Sequence, residues 1–103
     1  MTSGQYLLPM PGELAYIASK GALHQLTSSL AAHLSARGIT VNTIDPGATD
    51  TGWATPEVYE GVRAIHPQGR WGTPEDAARL ISWLVTDDAA WITGQIIGSR
   101  GGA

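Results

Sequence analysis

Two short segments rich in β-branched residues, 39–44 (ITVNTI) and 95–98 (QIIG), stand on either side of a plainly marked helix start, and that order leaves few folds open. Thr73 occupies the capping position, Pro74 the first helical position and Glu75 the next, while Asp76 can return a bond in the manner of a capping box. From there Ala77, Leu80, Ile81, Leu84 and Val85 supply an apolar side to about residue 85. Two strands joined through a crossover helix form a right-handed βαβ unit with parallel strands. The sequence therefore predicts an α/β fold.

A longer helix precedes the first strand. Residues 14–37 place Leu23, Leu26, Leu30 and Leu34 at spacings of three and four, with Ile17 extending the row, which predicts that these residues form the buried side. Arg37 suits the negative end of the helix, and Gly38 suits a left-handed stop. Gly21 inside it lowers helix propensity by about 1 kcal/mol relative to Ala, which suggests close packing at that point. Residues 1–13, with Pro9, Pro11 and Gly12, read as a turn-rich lead-in without regular structure. Asp45, Pro46 and Gly47 end the first strand. Residues 48–72 read as irregular, with a short helical piece around Glu57–Ala64; a loop of about 25 residues is usually functional or mobile.

A chain of 103 residues allows one small domain with a thin core. Two parallel strands do not make a stable sheet alone. Segment 39–44 is apolar on both faces, as in the interior of a larger sheet, and such a strand keeps an edge that invites pairing. A net charge of −3 with only six Lys and Arg argues against nucleic-acid binding, which needs a basic patch. The absence of Cys excludes disulfides, thiolate zinc sites and a cysteine nucleophile. His24 and His33 lie nine apart on the long helix and form no metal pair, and no metal site is expected. No apolar run reaches the length of a membrane span, and the N-terminus lacks the pattern of a signal peptide, so the expected location is the cytoplasm.

Tyr16 and Lys20 are four apart, so they share a helix face. A phenol with a pKa of ~10 exchanges protons poorly near neutrality, and an adjacent ammonium favours the phenolate. Such a pair suits proton transfer to or from an alcohol or ketone oxygen. The same spacing also describes a packed helical Tyr beside an exposed Lys, so context must decide.

That context is an ordered set: Thr2-Ser3-Gly4, then Tyr16-Ile17-Ala18-Ser19-Lys20, the Gly38 stop, Val41-Asn42-Thr43-Ile44-Asp45-Pro46-Gly47, the Thr73-Pro74-Glu75-Asp76 helix start, and Ile92-Thr93-Gly94-Gln95 ahead of Gly101-Gly102. In order and spacing it resembles the short-chain dehydrogenase/reductase family, and within it the 3-oxoacyl-carrier-protein reductases. The resemblance covers essentially the whole chain. It implies a truncated Rossmann-like fold: the C-terminal half of such a domain over residues 1–103, with two parallel strands, a long helix and a crossover helix. Tyr16 would be the catalytic acid–base. Lys20 would hold the nicotinamide ribose hydroxyls and ease loss of the phenolic proton. Ser3 would hydrogen-bond the substrate carbonyl. Pro46 and Gly47 would wall the nicotinamide, Thr49 would meet its carboxamide, and Thr51 would reach the carboxamide or pyrophosphate. Residues 48–72 would form the substrate-loop region, with Trp53 and Trp71 able to supply an aromatic wall, although a loop Trp is as often a hydrophobic plug. The family gives His66 no role, and it reads as structural or exposed.

The family's glycine-rich dinucleotide-binding half has no counterpart here, since the Gly98–Gly102 stretch is followed by no helix. The implied cofactor is NAD or NADP, and the implied substrate a small carbonyl or secondary alcohol. The expectation is an oxidoreductase segment that is inactive alone, with Ser3 on a frayed terminus. The alternative is a non-catalytic module that self-associates or complements a separate N-terminal half.

Overall fold

The computed structural model describes residues 1–103. Helix α1 spans Leu14–Leu34, strand β1 Thr43–Asp45, helix α2 Pro56–Ile65, helix α3 Pro74–Leu84 and strand β2 Ile96–Gly98. The strands pair in parallel, Thr43 opposite Ile96, Ile44 opposite Ile97 and Asp45 opposite Gly98. This is a Rossmann-like α/β arrangement, as the strand–helix order predicts. It is thin and extended, measuring 48 × 30 × 20 Å with a Cα radius of gyration of 15.1 Å.

The helix boundaries follow the local chemistry. A single 3₁₀ turn, Ser35–Arg37, closes α1, and Gly38 takes the left-handed conformation at φ 70°. Thr73 and Asp76 form the full capping box, with Pro74 at the first helical position. Thr55 caps α2 by accepting from the Val58 amide.

The short helical piece expected within residues 48–72 is α2, which fills ten of them, and Thr49 bridges Gly72 in parallel, closing the segment on itself. Three expectations need correction. The first strand begins at Thr43, because Ile39 and Thr40 are exposed; Val41 and Asn42 instead bond residues 92–95, with the Asn42 and Thr93 side chains taking ladder positions. The lead-in contains a 3₁₀ turn at Gly4–Tyr6. Finally, Gly21 meets nothing within 4 Å, so its role is not close packing.

The buried face of α1 also differs. Thr27 and Ala31 are its buried residues, whereas Leu23, Leu26 and Leu30 are 45, 54 and 36% exposed. Small side chains let the helix approach β1, and a hydroxyl pair fixes the contact: Thr27 and Thr43 oxygens lie 2.7 Å apart. Leu23, Leu26 and Leu30 look outward, and Leu34 is half-buried. The main core gathers Ile44, Leu84 and Ala89, with Leu80, Ile92 and Ile97 packed on it. Ile81 and Val85, expected on the buried side of α3, are exposed.

β1 has neighbours on both edges. On the β2 side, Thr43 N–H donates to Gln95 C=O and Asp45 C=O accepts from Ser99 N–H. Alternation turns the Ile44 carbonyl to the other edge, where it accepts from Thr2 N–H at 2.9 Å. Thr2 is 3% exposed, and its hydroxyl lies 3.3 Å from the Lys20 carbonyl. Residues 1–3 are therefore anchored between β1 and α1, and Ser3 is not on a frayed end.

Candidate active site

α1 runs back along β1, so its N-terminal end and the turn after β1 reach the same end of the molecule. There a cleft of about 530 Å³ is lined by ten residues, among them Ser3, Glu13, Tyr16, Pro46, Gly47, Thr49, Thr51 and Trp53. Tyr16 is 39% exposed and is one of the lining residues. Lys20 stands one turn further along, its ammonium 5.8 Å from the centre of the Tyr16 ring and 3.3 Å from the Met1 carbonyl oxygen, to which it donates. Lys20 does not line the cleft; it lies behind Tyr16.

The turn that follows β1 depends on a glycine. Gly47 has φ 66°, a left-handed conformation that favours glycine. The Thr49 hydroxyl is turned inward to the Pro46 and Gly47 carbonyls, at 3.4 and 3.3 Å. The bridge to Gly72 employs Ala48 C=O and Asp50 N–H, which leaves the Thr49 N–H without a backbone acceptor. Thr51 is exposed at the rim.

The two tryptophans separate. Trp53 is 66% exposed on the cleft, its indole N–H donating to Thr49 C=O at 3.3 Å. Trp71 is 3% exposed and does not line the cleft. It stacks on Tyr59 with ring centres 5.2 Å apart, meets Trp53 edge-on at 5.6 Å, and donates its indole N–H to Tyr59 C=O. Trp71 is thus the plug that carries Trp53, not a wall of the cleft.

Asp45, read from sequence only as a strand terminator, is fully buried. Its carboxylate accepts from Gly47 N–H at 3.1 Å, from the Arg100 guanidinium at 2.7 Å and from the Tyr6 hydroxyl at 3.1 Å. Desolvation first, then the hydrogen bond to Asp45 and its charge, raise the Tyr6 pKa, while Arg100 opposes the shift. His66 is structural, as expected: its Nδ1 accepts from Gln68 N–H, which leaves Nε2–H to donate to the Arg100 carbonyl.

Fold and cleft together set a Tyr-x-x-x-Lys helix beside the turn after a parallel strand of a Rossmann-like arrangement. Comparison with known proteins agrees. A family model described as enoyl-(acyl carrier protein) reductase matches residues 1–103. The uncharacterized oxidoreductase YjdA of Bacillus subtilis is 56% identical over 102 residues, covering 99% of this chain and 41% of that protein. The 3-oxoacyl-(acyl-carrier-protein) reductase FabG of Rickettsia conorii is 40% identical over 95 residues, covering 89% of this chain and 39% of that protein. Among solved structures, the promiscuous reductase LugOII, which catalyses keto-reduction at C1 during lugdunomycin biosynthesis, superposes with a TM-score of 0.88 at 40% identity, over 98% of this chain and 41% of that one. The chain belongs to the short-chain dehydrogenase/reductase family, whose members are NAD(P)-dependent oxidoreductases. It spans about two fifths of the length of these relatives.

The residues present fit the nicotinamide end of such a cofactor. The cleft is within the range that holds small ligands, its turn leaves the Thr49 amide without a backbone acceptor, and two hydroxyl-bearing residues, Ser3 and Tyr16, line the same space. No strand–glycine turn–helix unit for a pyrophosphate occurs among the elements.

Proposed function

We propose that this chain carries the proton-transfer and nicotinamide-facing half of a carbonyl reductase, residues 1–103 being a partial Rossmann-like reductase domain and 48–72 its substrate-loop region. One observation carries the reading: Ser3, Tyr16 and the Pro46–Thr51 turn share one cleft. Ser3 donates to the substrate carbonyl and polarises it. Tyr16 gives its hydroxyl proton to the carbonyl oxygen as that oxygen gains charge, or accepts it back in alcohol oxidation. Lys20, one turn behind, favours the resulting phenolate by its charge and is the cation available to ribose hydroxyls. Pro46, Gly47, Thr49 and Thr51 position the nicotinamide ring and carboxamide. When bound, NAD or NADP supplies the hydride chemistry. The substrate is a small carbonyl or secondary alcohol, with Trp53 as the aromatic wall. The isolated chain is inactive, because the surface that orients the rest of the cofactor is not among these residues.

The test is a chimera in which these 103 residues replace the matching stretch of YjdA. It should oxidise NAD(P)H with some member of a ketone panel, and Tyr16→Phe should reduce kcat by at least ~10²-fold. Full activity with Tyr16→Phe would refute the acid–base role. Steady turnover by the isolated chain, abolished by Tyr16→Phe, would refute its inactivity.

The exposed row Leu23, Leu26 and Leu30 favours a second reading, a self-associating module. Sedimentation should show association that weakens in Leu26→Glu, whereas a monomer at all concentrations would count against it.

A further inference from the structure

Asp45 joins three segments that the cleft depends on. The lead-in carrying Ser3 reaches it through the Tyr6 hydroxyl, the turn through the Gly47 amide, and the C-terminal tail through Arg100. Arg100 is wedged between Gly4 and Gly47. A Cβ built on Gly47 would lie 3.2 Å from Arg100 Cγ, and one on Gly4 would lie 3.3 Å from Nη1. The tail is itself held from the far side, His66 donating to the Arg100 carbonyl at 3.1 Å and Gln68 to the Gly101 carbonyl at 3.0 Å. Arg100 therefore has little freedom to leave Asp45.

A buried ion pair contributes little net stability beyond an apolar pair of the same shape, but it fixes one arrangement, because every alternative strands a charge. We infer that Asp45 and Arg100 are a positioning pair that sets the Pro46–Gly47 turn against Ser3, so that the cleft has its nicotinamide-facing shape before any ligand arrives. The inference rests on the proposed reading for its functional meaning, but its geometry can be tested without it.

Arg100→Met alone leaves a buried carboxylate without a countercharge, so the combined Asp45→Asn, Arg100→Met variant is the folded test, with Arg100→Lys as the conservative rescue. In the ¹⁵N-labelled chain, Gly47 amide exchange should accelerate at least tenfold in the double variant, while α3 amides such as Leu84 keep wild-type rates. Arg100→Lys should hold Gly47 within about threefold of wild type. Gly47 exchange unchanged in the double variant, or faster in step with every other amide, would overturn the inference. In the YjdA chimera the double variant should raise the dinucleotide KM at least tenfold with kcat largely kept; a fall in kcat alone would also overturn it. An inactive parent chimera would count against the reductase reading, while the exchange result would still decide the positioning role.

Discussion

Removing the Thr27 hydroxyl should destabilise the protein more than removing that of Thr43, although their oxygens share one hydrogen bond of 2.7 Å. The asymmetry follows from counting protons. The Thr27 oxygen also lies 2.7 Å from the Leu23 carbonyl, which can only accept, so the single Thr27 proton goes there. Thr43 must then donate to Thr27. Both residues are buried, at 2 and 7% exposure. Thr27→Val leaves the Thr43 hydroxyl without an acceptor and should cost about 1–3 kcal/mol. Thr43→Val removes a donor but leaves Thr27 bonded to Leu23, and should cost about 1 kcal/mol or less. The double variant strands nothing, so its cost should fall short of the sum by more than ~0.5 kcal/mol. Urea unfolding of the four proteins, followed by circular dichroism, measures all three values. Equal single effects, a larger loss in Thr43→Val, or simple additivity would refute the assigned proton order. The contact sets the register of α1 on β1, and hence how Tyr16 meets the Pro46 turn.

Trp71→Ala should cost about 3–5 kcal/mol, because it empties the stack on Tyr59 and removes the support under Trp53; urea melts measure it, and protease should cut first within 52–70. The hydrogen bond from Arg70, then that from the Thr73 amide, hold the Asp76 pKa below its ordinary 3.8. Its contribution is therefore full above that value and is lost only as pH falls through the lowered one, and Asp76→Asn should flatten this acid limb in melts taken from about pH 5 to pH 1. Gly38 and Gly47 have similar positive φ, 70° and 66°, but only Gly47 has Arg100 against it. Gly38→Ala should show backbone strain alone, about 1–2 kcal/mol, and Gly47→Ala measurably more in the same thermal melts.

Helix ends were legible because their signals are local: the Thr73–Asp76 box and the Gly38 stop each lie within a few residues. The parallel pair followed from element order alone. Tyr16 and Lys20 were legible as a shared face, and the ordered motifs pointed to the family. The buried face of α1 was not legible, because periodicity finds a leucine row without saying what it faces; here close approach through Thr27 and Ala31 decided it. Asp45 was missed for a different reason. Its partners Tyr6 and Arg100 are 39 and 55 residues away, beyond any local signal. Trp71 had two readings in sequence, and only its stack on Tyr59 separated plug from wall.

The flattened outline has a practical consequence for anyone weighing this molecule in solution. A tightly folded chain of this length would have a radius of gyration of about 13 Å, against the 15.1 Å found here. Gel filtration reads hydrodynamic size, so a 10.8 kDa slab elutes early and mimics a heavier particle. Light scattering, which reads mass without regard to outline, is the safer judge of whether one copy or two are present.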